Sequence, residues 1–196
     1  LFFKRVLRLS RRYNIPILTL HQPVWSIVRV FKDKKIFEMA KTASAGIVLH
    51  PPMNKLLNDP KTQKYFSFFC NKSKEYGVPL YVENMRRKII GQHTIGYARE
   101  FIYADLLASH VCVPFEMGMT YDTSHSMIKT DSDFTEFKEA FPYIKNIHLS
   151  DFRGLKEHLS LGEGELPIER FFAFLKEQNY NGIITLELSK KAFYRK

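Results

Sequence analysis

The stretch TYDTSHS at residues 120–126 places two chemically useful side chains, Asp122 and His125, three residues apart after an apolar run. Carboxylate and imidazole groups bind divalent metal ions, and both transfer protons. Aspartate, serine and threonine are equally common in the turn after a strand, where they only accept backbone N–H groups. The spacing alone therefore leaves a metal site and a simple turn as alternatives.

Similar residues end all six of the short apolar runs in the sequence, which span 15–21, 45–50, 78–84, 118–125, 144–151 and 182–188. Their C-terminal ends carry His21, His50, Glu83, Asp122 with His125, His148 with Asp151, and Glu187. A single histidine in such a place is usually a turn or core residue, but a carboxylate is costly to bury unless it is paired or metal-bound. Six coincidences at equivalent positions favour a shared site. His93 and His110, in or beside helical stretches, are expected to be structural.

The elements that must position these residues alternate between strands and helices. The six runs are apolar throughout, which is typical of parallel strands covered on both faces. Between them lie helical patterns, notably 1–13, 58–77 with Gly77 as its cap, and 166–180. The predicted apolar faces are Phe2, Val6, Leu9 and Tyr13 in the first, and Ile168, Phe171, Phe172 and Leu175 in the last. The alternation predicts an α/β fold. The sequence has no glycine-rich phosphate-binding fingerprint after any strand, which argues against a nucleotide-binding open sheet.

Composition narrows the class of protein further. The 196 residues, 45% hydrophobic and 26% charged, suffice for one globular domain. The net charge of +10 comes largely from Lys4–Arg12, Arg86–Lys88 and Lys190–Lys196. These clusters leave nucleic acid, a phosphorylated small molecule and a merely solvated surface as alternatives. With no membrane-length apolar window, no secretory signal, and only Cys70 and Cys112 as cysteines, we expect a reducing, cytoplasmic setting in which both thiols are buried.

Six motifs together resemble the xylose isomerase-like TIM-barrel superfamily, which includes sugar and sugar-phosphate isomerases and epimerases and endonuclease IV. They are VLHPP, VENM, YDTSH, IHLSD, HLSLGEGELP and GIITLEL, in the family's order and rough spacing. The resemblance implies a (β/α)8 barrel of which this chain supplies about six strands. Residues 1–196 would then be a single domain that lacks the first one or two β/α units and has open sheet edges.

The resemblance also implies a metal site made of Glu83, Asp122, His148 and Glu187, in which Glu83 and Glu187 move the proton. In the nuclease branch, His21 and His50 would join Glu83 at a second metal. His125 and His158 would hold a third, or would contact substrate. That branch has an aspartate where this chain has Lys156, which argues against a complete third site. The mixture of donors suits zinc or manganese, with magnesium or cobalt as alternatives, better than calcium.

The expected function is a metal-dependent isomerase or epimerase of a small sugar or sugar phosphate, working through a metal-stabilised enediolate. Arg86, followed by Arg87 and Lys88, and Lys156 are the cations expected to contact substrate. The alternative is an endonuclease IV-like zinc enzyme that cuts DNA at apurinic sites, and a third possibility is a non-catalytic remnant. We expect a small-molecule partner and no membrane, favour DNA less, and leave homo-oligomerisation open. Gly162 and Gly164 are expected to serve a tight loop.

Overall fold

The computed structural model describes residues 2–22, 34–86, 89–90, 93–94, 96–126 and 134–190. Within them the strands are β1 Thr19–His21, β2 Gly46–Leu49, β3 Leu80–Glu83, β4 Ile89–Ile90, β5 His93–Thr94, β6 Gly118–Asp122, β7 Ile144–Leu149, β8 Asp151–Arg153, β9 Lys156–Leu159 and β10 Ile183–Leu186. Six of them form one sheet in the order β1-β2-β3-β6-β7-β10, and every pairing in it is parallel. The α/β prediction and the six predicted strands are therefore confirmed.

The helices flank this sheet. They are α1 Phe2–Tyr13, α2 Lys35–Ala43, α3 Pro60–Tyr76, α4 Arg99–Ile102, α5 Ala104–Leu107, α6 Thr135–Ala140 and α7 Ile168–Glu177, with a π-helical turn at Ala108–Cys112 and a 3-10 turn at Phe141–Tyr143. The ends of α3 follow from its sequence. Asp59 accepts the backbone N–H of Lys61 at 2.8 Å, and Gly77 ends the helix in the left-handed conformation at φ 66°, as predicted.

Two helical faces differ from the prediction. Helix α1 forms, but none of its residues is buried, and Phe2 and Tyr13 are 81% and 59% exposed. In α7, Phe171 and Leu175 are buried as predicted, whereas Phe172 is 40% exposed. Phe172 follows Phe171 by one residue, about 100° around the helix, so both cannot face the sheet.

The strands are shorter than the apolar runs that predicted them. Residues 15–18 lie outside β1, and Ile15 and Leu18 are 66% and 50% exposed. Strand β10 ends at Leu186, so Glu187 follows the strand instead of lying inside it. The hairpins β4–β5 and β8–β9 were not predicted, because strands of two to four residues are too short to show a period.

The hydrophobic core lies between the sheet and its helices. Side chains alternate between the two faces of a strand. Tyr121 thus packs on Phe137 of α6, with ring centroids 4.6 Å apart, while its neighbour Asp122 faces the other side.

The sheet is strongly curled. β1 and β7 are four strand spacings apart, roughly 19 Å in a flat sheet. The rings of His21 and His148, which belong to these two strands, have centroids only 5.9 Å apart. The six strands therefore form part of a barrel with both side chains inside it.

Among the described residues, no helix is both long and apolar enough to cross a membrane.

Candidate metal centre

Four side chains from four strand ends converge inside the curled sheet. Glu83 ends β3, Asp122 ends β6, His148 lies near the end of β7, and Glu187 follows β10. One potential ligand atom of each lies within 4.8 Å of those of the other three. The strand register brings this about, since Asp122 is the direct partner of His148 and the Glu187 N–H donates to the carbonyl of Leu149 at 3.1 Å. Parallel strands present their C-terminal ends to one face, and these four residues share it.

Asp122 uses its two carboxylate oxygens differently. Oδ1 accepts the backbone N–H of Ser124 at 2.7 Å, its hydroxyl at 2.9 Å, and the N–H of His125 at 3.2 Å. Oδ2 is buried and has no hydrogen-bond partner. The turn and the metal site, which the sequence left as alternatives, are thus compatible, because one oxygen holds the turn and the other faces the cluster.

His148 and Glu187 form an ion pair beside it. Nδ1 of His148 lies 2.5 Å from Oε2 of Glu187, and both atoms are buried, but neither makes a regular hydrogen bond. A buried polar atom without a hydrogen bond is destabilising, and so are carboxylates held close together. A divalent cation would relieve both costs. Asp122, His148 and Glu187 each carry such an atom and belong to one group of ligand candidates within 4.8 Å of one another, so this donor set fits a metal ion.

Glu83 lies in the centre of a group of imidazoles. Its side chain is 1% exposed. Nε2 of His21 and Nε2 of His50 each lie 3.2 Å from its Oε2, while Nδ1 of His125 and of His148 lie 3.4 and 3.5 Å from Oε1. His21, Glu83 and His148 also offer ligand atoms within 4.8 Å of one another, and His50 contacts Glu83 without joining that group.

The charges in the cluster shift one another's pKa values. Burial alone would raise the pKa of Glu83. The imidazoles of His125, His148, His21 and His50 nevertheless hold it well below its ordinary value. Burial would lower the pKa of His148, but its contacts with Glu187 and Glu83 raise it to about 10. Burial raises the pKa of Asp122, and the negative charges of Glu83 and Glu187 raise it further. Without a metal ion, the charges of the carboxylates are therefore offset by protonated histidines.

Asn84 holds two of these elements together. Its Oδ1 accepts the backbone N–H of Asp122 at 2.7 Å, and its Nδ2 donates to the Asp122 carbonyl at 3.3 Å. The carbonyl of Asn84 lies 3.2 Å from Nδ1 of His125. Asn84 is fully buried and was not singled out from the sequence, although it stands next to Glu83 in VENM.

A neighbouring group consists of Asp122, His125 and His158, whose ligand atoms also lie within 4.8 Å of one another. His158 has φ 55°, a conformation that residues other than glycine rarely adopt. Lys156, at the position where the resemblance implies an aspartate, is exposed and adds no carboxylate. Asp122 is shared with the first cluster, so this group has no carboxylate of its own.

The clusters lie at the base of an open cavity of about 540 Å³. It is lined by His21, His50, Met53, Glu83, Met85, Arg86, Gly96, Tyr97, His125, Glu157, His158 and Glu187. Arg86 is therefore at the cavity as expected, Lys156 does not line it, and Arg87 and Lys88 lie outside the described residues. Tyr97 and Glu157 carry no sequence signal apart from the position of Glu157 beside His158. His110 is exposed and does not line the cavity.

Asp151, the second acid after β7, anchors a loop. Its carboxylate accepts the backbone N–H groups of Phe152, Gly162, Gly164 and Leu166 at 2.8–3.0 Å. A Cβ atom at Gly164 would lie 2.1 Å from the Phe152 carbonyl oxygen, and Gly162 has φ 86°. The LGEGEL stretch is thus a tight loop that requires its glycines, as predicted.

The chain is similar to known proteins in sequence and in fold. The family model described as xylose isomerase-like TIM barrel matches residues 2–195. Among solved structures, a D-tagatose 3-epimerase-like protein superposes with a TM-score of 0.72 at 22% identity, covering 97% of this chain and 78% of that one. For a 3-keto-D-glucoside 4-epimerase from E. coli the values are 0.71, 12%, 96% and 78%. For an AP endonuclease, family 2, from Brucella melitensis they are 0.69, 14%, 93% and 76%.

At these identities the structural likeness shows the fold, while the family model matches nearly every residue of the chain. Metal dependence is typical of this family, and the cluster of histidines and carboxylates agrees with it. The chain belongs to the xylose isomerase-like TIM-barrel family.

Proposed function

We propose that this protein is a metal-dependent isomerase or epimerase of a small sugar or related hydroxy-carbonyl compound. The observation that supports this best is the set of buried ligand atoms without hydrogen bonds on Asp122, His148 and Glu187, which lie close to Glu83 at the C-terminal ends of the strands. Zinc or manganese suits one imidazole and three carboxylates, with magnesium or cobalt as alternatives. The epimerases among the structural neighbours support the same class of reaction.

A divalent ion held by these four residues would polarise the adjacent carbonyl and hydroxyl oxygens of the substrate. Glu83 and Glu187 would transfer the proton at the hydroxyl-bearing carbon next to the carbonyl. Glu187 is the more accessible of the two, because its side chain is 37% exposed and lines the cavity. Glu83 is 1% exposed and has an imidazole near each oxygen, so its reach toward substrate is narrower. His125 and His158 line the same cavity, and we propose that they contact substrate hydroxyls.

The proposal is tested by substituting Glu187. With a substrate in D2O, we expect Glu187→Gln to slow incorporation of deuterium by about 10²–10⁴-fold, the usual worth of one acid–base group. Glu177→Gln, which changes an exposed glutamate in α7, is the matched control and should exchange at the wild-type rate. Metal content is measured on each variant, because a larger loss that coincides with a lost ion reports binding rather than proton transfer. Wild-type exchange in a Glu187→Gln protein that keeps its ion would contradict the proposal.

A second candidate is a zinc-dependent nuclease that cuts DNA at apurinic sites. The additional groups around His21 and around His125 and His158 favour it, and so does the AP endonuclease among the neighbours. The exposed Lys156 disfavours it, because the third group then lacks a carboxylate of its own. Three zinc ions per chain and metal-dependent nicking of abasic DNA would establish the nuclease, whereas about one ion and no nicking agree with the isomerase.

Predictions about location, partners and domain organisation accompany this proposal. Cys70 and Cys112 are both free thiols, and Cys112 is buried whereas Cys70 is only partly so. We keep the cytoplasmic location and a small-molecule partner as predictions, and homo-oligomerisation as an open one. That residues 1–196 form a single barrel-type domain is likewise a prediction.

A further inference from the structure

An ion pair with no part in the metal cluster lies at the edge of the cavity. Nη1 of Arg86 lies 2.6 Å from Oε2 of Glu157 and donates a hydrogen bond to it. Arg86 follows β3 by three residues, and Glu157 belongs to β9, so the pair links two separate loops of the open face. The Glu157 side chain is 13% exposed and that of Arg86 is 48% exposed, and both line the cavity.

This pair determines whether the cavity favours an anionic ligand. Apart from histidines, Arg86 is the one cation among the described residues that line it, against the carboxylates of Glu83, Glu157 and Glu187. A phosphate group that accepted hydrogen bonds from the other N–H groups of Arg86 would lie beside the Glu157 carboxylate, and such like-charge contacts select against an anionic ligand. A phosphate group that displaced Glu157 would leave this carboxylate, which is 13% exposed, without its partner.

An uncharged polyol meets no such obstacle. A guanidinium has five N–H donors, of which the contact with Glu157 uses one, so hydroxyl oxygens can accept from the others. The carboxylate of Glu157 can accept a hydrogen bond from a hydroxyl at the same time. The pair thus offers a donor and an acceptor side by side, which is the pattern of a sugar's neighbouring hydroxyl groups.

We propose that Glu157 determines specificity: by neutralising Arg86 it makes the cavity select an uncharged polyhydroxy carbonyl compound over its phosphate ester. The inference rests on the proposed isomerase or epimerase function for the identity of the reaction, and it narrows the substrate class. It assigns Arg86 to hydroxyl groups, where the sequence left a phosphorylated small molecule among the alternatives.

Binding of inorganic phosphate tests the role of Glu157 without any need for activity. Calorimetry on the full chain, with and without Mn2+, compares the wild type with Glu157→Gln and with the double variant Glu157→Gln/Arg86→Met. We expect Glu157→Gln to bind phosphate about tenfold more tightly than the wild type, the scale of one freed, partly exposed charge. The double variant should return to wild-type affinity, which also sets the background of phosphate bound directly to the ion. Equal affinity in the wild type and Glu157→Gln would overturn the proposal.

Substrate preference tests the consequence. Deuterium incorporation from D2O is compared for D-fructose and D-fructose 6-phosphate, and for D-ribulose and D-ribulose 5-phosphate. For any sugar and phosphate ester that react, we expect the wild type to have the higher kcat/KM for the free sugar. In Glu157→Gln, the ratio of kcat/KM for the ester to kcat/KM for the free sugar should rise about tenfold. A wild-type preference for the esters would overturn the proposal. If no sugar exchanges in any variant, the proposed function fails, whereas the phosphate titration still decides the role of Glu157.

Discussion

At the scale of the residue, Asp122 shows how one side chain serves both fold and site. Its Oδ1 holds the turn through Ser124 and His125, and its Oδ2 stays buried without a hydrogen bond. Replacing the carboxylate by an amide keeps the oxygen that holds the turn and removes the charge. The two roles can therefore be separated by one substitution.

For Asp122→Asn we predict that the metal-free chain keeps its free energy of unfolding to within about 1 kcal/mol, because the amide oxygen keeps the hydrogen bonds of Oδ1 while a buried charge is removed. Its affinity for Mn2+ should fall by at least about 100-fold. Chemical denaturation and calorimetry measure the two quantities. Asp105→Asn, at a carboxylate outside the clusters, should change neither. Unchanged metal affinity in Asp122→Asn would show that Asp122 only holds the turn.

Asn84 is the residue whose loss should weaken the site without touching a ligand atom. Asn84→Ala removes both hydrogen bonds to the backbone of Asp122, so we predict a 10–100-fold loss of metal affinity, the usual effect of a supporting residue. Asn146→Ala is the matched control, since Asn146 is equally buried but bonds only to Thr120 and Thr185. Each variant should lose roughly 1–3 kcal/mol of stability. Equal metal affinity in the two variants would contradict the positioning role.

At the scale of the element, the β8–β9 hairpin and the loop after it place His158 and Glu157 at the cavity. The loop is held by Asp151, and Gly164 packs against that carboxylate and the carbonyl of Phe152. Gly164→Ala should therefore lower the free energy of unfolding by roughly 2–3 kcal/mol through overpacking. Gly154→Ala is the control, because its Cβ would meet nothing within 4 Å and only its φ of 55° is strained, a cost of about 1–2 kcal/mol. Thermal or chemical denaturation compares the two, and an equal loss would show that packing against Asp151 is unimportant.

The elements also show what the sequence could and could not predict. The six strands of the sheet and the glycine cap of α3 were predictable, because continuous apolar runs and left-handed glycines have strong local signals. The ends of strands and the two short hairpins were not, since tertiary pairing and not periodicity decides them. For the site, the residue types at strand ends predicted a shared site, and the resemblance to the family implied the four ligand candidates that lie close together. The supporting Asn84 and the Arg86–Glu157 pair depend on contacts between distant segments, which no local pattern contains.

At the scale of the whole molecule, the described sheet has two edge strands, β1 and β10, each paired on one side. Ile184 and Leu186 on β10 are 43% and 57% exposed on the outer face. Exposed apolar edge strands favour association between chains. We predict that Ile184→Thr/Leu186→Thr weakens concentration-dependent self-association about tenfold or more by light scattering, while Leu155→Thr, which removes a 93% exposed leucine of the β8–β9 turn, does not. Equal association in both variants would exclude β10 as the contact.

The central claim is that Glu83, Asp122, His148 and Glu187 together hold a divalent ion, and metal content tests it most directly. The full chain is equilibrated with Mn2+ or Zn2+, freed of unbound metal by gel filtration, and analysed by inductively coupled plasma mass spectrometry. We predict about one tightly bound ion per wild-type chain, and loss of that ion in the folded double variant Asp122→Asn/Glu187→Gln. A wild-type chain that retains neither metal, or a double variant that retains as much as the wild type, would contradict it.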